Sequence, residues 1–194
     1  MELTLVYTII GFGLAGYSVI ANDSIQTLGT FIASKQKWFK WYTLASAASL
    51  VMIFAITWGW YSYDGDISYG RLTRIPFQEI QWYHAVAPAI LLVLTRIGIP
   101  VSTTFLVLSA FASTVVLEKM LVKSIVGYGI AATVAYFCWI AVSKFINEKF
   151  DEVKGDKWIA FWRNSVWVSS GWLWWVWLSH DVANIAVYLP RQLD

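Results

Sequence analysis

Charge is what this sequence has least of. Only 13% of its 194 residues are Asp, Glu, Lys or Arg, against 58% hydrophobic and 18% aromatic, and the mean hydropathy is +0.58. So little polar surface cannot coat a soluble globule, and the chain reads as an integral membrane protein. A net charge of +2 and a pI near 8.6 are too mild for nucleic acid, and the Lys and Arg are scattered rather than gathered on one face. Cysteine is nearly absent. Cys138 lies in an apolar run beside Phe137 and Trp139, which excludes a disulfide framework and a cysteine metal site. There is no H-E-x-x-H, Walker loop, dinucleotide fingerprint or Ser-His-Asp order, so no enzymatic chemistry is visible and no cofactor is expected. Glu2 stands where a signal peptide carries basic residues, and no small-residue cleavage site follows, so the first helix is expected to be retained.

Long charge-free runs are what the sequence does have. A hydrocarbon core of about 30 Å asks for roughly 20 apolar residues per helix, which places spans at residues 3–21, 41–63, 124–143 and 164–179. Residues 80–95 and 97–117 form a pair separated by Arg96 and broken at Gly98 and Pro100; they are either two full spans or two shorter re-entrant pieces. The expected class is an all-α polytopic helical bundle with broken or re-entrant helices. Trp167, Trp172, Trp174, Trp175 and Trp177 crowd the last span, where indoles suit the membrane interface better than a ligand cage. Gly11, Gly13 and Gly16 read as close helix packing.

Basic residues orient the spans. Lys35, Lys37 and Lys40 follow the first run, and Lys144, Lys149, Lys154, Lys157 and Arg163 precede the last. Residues 62–81 hold only Arg71 and Arg74 against Asp64, Asp66 and Glu79. Lys and Arg accumulate in cytoplasmic loops, so the N-terminus is expected outside. The segments beginning near Leu3 and Trp158 then run in opposite directions. Both end alike: "IANDSIQTLGT" aligns with "LSHDVANIAVYLP", matching Asn22-Asp23 with His180-Asp181 and Gln26 with Asn184. Inverted repeats that meet at the bilayer midplane are a recurrent transporter plan.

An acid at midplane costs about 2.5–3.5 kcal/mol on insertion scales, so Asp23 belongs against a cavity or a bound cation. Hard oxygen ligands suit Na⁺. Asn22 and Gln26 offer amide oxygens and Thr30 a hydroxyl, with Asp181 and Asn184 as the mirrored set. The plainer reading is that Asn22-Asp23 cap a following helix at an interface. Ser102, Thr103 and Thr104 follow Gly98 and Pro100; hydroxyls and free N–H groups there make an anion site, or simply an N-cap.

"ANDSIQTLGT" resembles the GANDVANAFGT signature of the inorganic phosphate transporter (PiT) family, "GIPVSTTF" its G-[LI]-P-[IV]-S-T-T-H motif, and "SHDVANIA" its second GANDVANA copy. The resemblance runs in layout from about Gly13 to Leu189 and is specific at those three motifs. It implies an inverted-repeat fold with residues 1–157 as the first repeat and 158–194 as the start of the second, since a second P-x-S-T-T-H element is missing before Asp194. It also implies cation-coupled phosphate symport. Phosphate contacts would fall to Ser102, Thr103, Thr104, Asn22 and Asn184. Coupling-ion contacts would fall to Asn22, Asp23, Gln26, Thr30, Asp181 and Asn184. The partners implied are inorganic phosphate, Na⁺ or H⁺ and the lipid bilayer; with no transit sequence in view, a plasma or inner cell membrane is the expected location.

Three departures qualify what is implied. Gln26 replaces the second Asn, His180 the Asn of the second motif, and Phe105 the closing His. Losing one His and gaining another beside Asp181 changes which groups titrate near neutral pH. That opens H⁺ coupling with His180 as proton carrier, or another oxyanion such as sulfate. The alternative class is a non-transporting half-length subunit or scaffold; a homodimer of opposed halves would also complete a site. His84, with Trp82 and Tyr83, is expected at a span boundary. Asp64-Gly65-Asp66 lacks the later ligands of a calcium loop and reads as a polar turn. Glu118-Lys119 and the run 148–157 read as solvated loops.

Overall fold

The computed structural model describes residues 2–99, 101–150 and 156–193, the side chains of 2, 145–150 and 156–158 aside. Seven α-helices and two 3-10 turns make up the regular structure, with no strand among the described residues. α1 (Glu2–Lys35) and α2 (Trp41–Ser62) follow each other across a short turn. The 3-10 turns Arg71–Arg74 and Trp82–Ala85 lead into α3 (Val86–Arg96), and α4 (Thr103–Leu108) follows. α5 (Thr114–Phe150), α6 (Asp156–Asp181) and α7 (Ala183–Ala186) complete the chain. Leu3–Lys35, Trp41–Ser62 and Thr114–Lys144 are long and apolar enough to cross a membrane. α6 has the length, at about 39 Å for its rise of 1.5 Å per residue, but Ser and Trp dilute its apolar character.

The largest departure from the sequence reading is in α1. Asn22 and Asp23 neither end the helix nor break it; its 34 residues run unbroken to Lys35. Side-chain polarity alone does not interrupt a backbone whose own hydrogen bonds are complete. Asn22-Asp23 are therefore not a cap.

Residues 80–117 resolve into two short pieces rather than full spans. α3 has 11 residues and α4 only six, so the longer rises about 16 Å. Between them Gly98 sits at φ +77°, a left-handed conformation that glycine adopts without a Cβ clash. Pro100 lies outside the described residues, as does 151–155 of the run 148–157, whose ends are not loop but helix, 148–150 closing α5 and 156–157 opening α6. Glu118-Lys119 are not in a loop but exposed in the early turns of α5.

α1 and α6 pack antiparallel. Lys35 Nζ donates to the Arg163 carbonyl at 2.9 Å, Phe31 meets Trp167 edge-on at 4.8 Å, and near the far end of α6 Asp23 faces Trp177 and Asp181. α3 and the segment leading into it run beside α1 in the same sense, from Glu79 near Thr4 to Thr95 near Asn22. Ala15, Val19, Leu91, Leu178 and Val182 fill the seam. Gly11 lets the Tyr188 ring lie on α1, where a Cβ would overlap it; Gly13 and Gly16 have open space and serve no such packing.

Other expectations shift with burial. His84 is fully buried rather than at a boundary. It stacks on Phe111 at 4.2 Å, and its Nδ1 accepts from the Gln81 N–H at 2.8 Å. Trp174 is core, donating to the Ala48 carbonyl at 3.1 Å. Asp64-Gly65-Asp66 is a polar turn: the Asp66 carboxylate accepts from the N–H groups of Ser68 and Gly70.

Candidate functional site

Where α1, the start of α4, α5 and the end of α6 converge lies a cavity of about 460 Å³. Asp23 and Gln26 line it from α1, Ser102, Thr103 and Thr104 from the mouth of α4, Tyr128 from α5, and Trp177 and Asp181 from α6. The three sequence motifs, some 80 residues apart from one to the next, thus share one wall.

Asp23 is only 1% exposed. Its carboxyl faces that of Asp181 and the Trp177 indole. Oδ1 accepts from Asn22 Nδ2 at 3.2 Å, while Oδ2 has no hydrogen-bond partner. Asp181 is better supplied: Thr103 Oγ1 donates to Oδ2 at 3.1 Å and Thr104 Oγ1 to Oδ1 at 2.9 Å. Asn184, fully buried on α7, donates through Nδ2 to both threonine hydroxyls at 3.3 Å and leaves Oδ1 unpartnered. Asn22 and Gln26 both donate to the Val101 carbonyl, at 3.2 and 3.3 Å, tying the irregular segment before α4 to α1. Thr95 donates to Asn22 Oδ1 at 3.5 Å.

Ser102 is the N-cap that its position offered. Its hydroxyl accepts from the Phe105 N–H at 3.3 Å as the N-cap of α4, and it also lines the cavity. Thr30 does not belong to the site. It is exposed, seven residues beyond Asp23 and so about 10 Å along the helix. His180 lies outside the lining as well. It is exposed at the end of α6, and Arg71, from the 3-10 turn after α2, donates to its Nδ1. Burial lowers the Arg71 guanidinium from its ordinary value, and the nearby Asp181 carboxylate opposes that.

Among the described residues, no Lys or Arg lines the cavity. Two carboxyls face each other there amid hydroxyls and amides, and like charges in a poorly solvated space repel strongly. A cation between them, or a proton, would relieve that repulsion, and unpartnered Asp23 Oδ2 and Asn184 Oδ1 are the oxygens with lone pairs to spare. Trp177, Tyr128 and the Val101 carbonyl were not among the sequence candidates. Nothing in composition separates one of thirteen tryptophans or one backbone carbonyl from the rest.

Compared with family models, curated proteins and solved structures, the chain matches none.

Proposed function

We propose that the chain is a secondary active transporter of inorganic phosphate, driven by Na⁺ or H⁺ and working by alternating access. One observation carries the reading: two buried carboxyls from antiparallel helices meet in a cavity whose remaining lining includes the hydroxyls of Ser102, Thr103, Thr104 and Tyr128 and the Gln26 amide. Such a cavity is hostile to a bare anion and hospitable to an anion that arrives with a cation.

The hydrogen bonds supply a coupling scheme. Thr103 and Thr104 spend their protons on Asp181. A cation held by Asp181 and Asp23 satisfies those carboxylate oxygens, and the two hydroxyls are then free to turn toward a tetrahedral oxyanion. Each ligand thereby raises the affinity for the other, and by linkage the effect is reciprocal. Sulfate is the competing anion, since hydroxyl donors do not distinguish the two by geometry. The scaffold reading has the bare apolar surface of α5 on its side, none of whose most apolar window is buried.

Equilibrium binding of radiolabelled phosphate to the purified chain, in NaCl and in choline chloride, tests the proposal. Phosphate binding that strengthens with Na⁺, or with falling pH in its absence, supports it. Thr104→Val should then weaken binding about tenfold, the loss of one hydrogen bond to a charged group. Binding of sulfate but not phosphate would move the substrate, and binding of neither would favour the scaffold.

A further inference from the structure

α1 and α2 are neighbours in sequence but splay apart in space. Both pack on α6, and between them opens a wedge of about 640 Å³. Leu28 and Phe31 wall it from α1, Leu44 and Met52 from α2, and Trp174 of α6 forms its back. Lys40, Gln36 and Trp41 stand at the end nearest the connecting turn.

The turn has the marks of a headgroup-level segment. Trp38 and Trp41 are strongly exposed and Tyr42 is exposed, as suits an interfacial aromatic belt. Lys37 and Lys40 are exposed too, and no Asp or Glu occurs anywhere from residue 24 to 63. Lys35 plays a different part: it is buried, donating to the Arg163 carbonyl and lying 5.9 Å from the Trp167 ring. Lys40, 5.7 Å from the Tyr42 ring, thus stands at one end of the apolar wedge with Lys37 beside it in the turn, and no Asp or Glu of residues 24–63 answers them.

We infer that the wedge holds one anionic phospholipid, an acyl chain between α1 and α2 and its phosphate on Lys40 and Lys37. Side chains leave the wedge open, and a void in hydrocarbon forfeits dispersion contacts that an acyl chain restores. Basic residues at the membrane surface select anionic headgroups, and two of them amount to about a thirtyfold preference. The inference is independent of the transport reading, because it uses neither Asp23 nor Asp181.

Native mass spectrometry of the full chain, taken from nanodiscs of phosphatidylcholine with a minor share of phosphatidylglycerol, tests it. The expected result is one retained phosphatidylglycerol per chain. It should be lost in Lys37→Ala/Lys40→Ala, which alters only exposed side chains, and displaced in Ala45→Phe, which narrows the wedge. Inorganic phosphate at millimolar concentration should not compete. Equal retention of both lipids, retention of neither, or displacement by free phosphate would each overturn it, and all three are read on the unaltered chain.

Discussion

At the scale of single residues, the site turns on Asp23 and Asp181, whose charges oppose each other and whose hydrogen-bond supplies differ. Asp181 has two threonine donors, whereas Asp23 has one amide and a bare Oδ2. Asp23→Asn removes the repulsion without emptying the site. In choline chloride, where no small cation is present, the variant should melt at or above the wild-type temperature by a thermal-shift assay. Added Na⁺ should stabilise the wild type, as a ligand of the native state does, and leave the variant unchanged. Loss of folding in choline would instead make Asp23 a structural residue. Asp23, Gln26, Ser102, Thr103, Thr104 and Asp181 line one cavity, with Asn22 and Asn184 hydrogen-bonded beside it; that such groups gather was legible in the sequence because polar groups in apolar runs demand a partner. Thr30 was misread because spacing along a motif ignores helix rise. Trp177 was missed because an indole is equally at home at an interface, in a core or on a cavity wall, and this chain has examples of each.

At the scale of elements, helix continuity and close approach govern the geometry. α1 carries its polar pair in mid-helix, so Asn22 and Asp23 project from a rigid rod instead of a flexible break. Sequence could place the runs at 3–21, 41–63 and 124–143 in helices apolar enough to span because hydrophobic length is a local property, whereas the expected span at 164–179 lies in α6, which is not among them. It could not decide between re-entrant and spanning pieces for 80–117, since that rests on where α3 and α4 find tertiary partners. Of the four glycines on α1, only Gly11 faces a ring. Gly11→Val should therefore destabilise the fold by about 1–3 kcal/mol, the usual penalty of overpacking. Gly16→Ala should be close to neutral. Denaturation in mixed micelles measures both, and equal effects would mean that Tyr188 yields freely. Lys35 shows the opposite limit of sequence reading: a lysine expected in a loop is buried at the end of a helix, its ammonium on a carbonyl.

For the whole molecule, the antiparallel pairing of α1 with α6 brings residues 23 and 181 together across most of the chain. The opposed directions expected from the distribution of Lys and Arg agree with that packing, although the charge rule concerns sidedness and the packing concerns contact. α3 and α4 support the arrangement by holding the Val101 carbonyl against α1 and the threonines against α6. α5 contributes Tyr128, and its most apolar window, within Thr114–Lys144, is unburied. The decisive measurement is radiolabelled phosphate uptake into proteoliposomes holding the wild type, Asp23→Asn or Asp181→Asn, with an inward Na⁺ gradient, an inward H⁺ gradient or neither. If the facing carboxyls form one coupling site, one gradient drives uptake by the wild type, and each single substitution abolishes that drive to the same degree. Gradient-driven uptake that survives in either variant, or no uptake by a correctly folded wild type under any gradient, would contradict it.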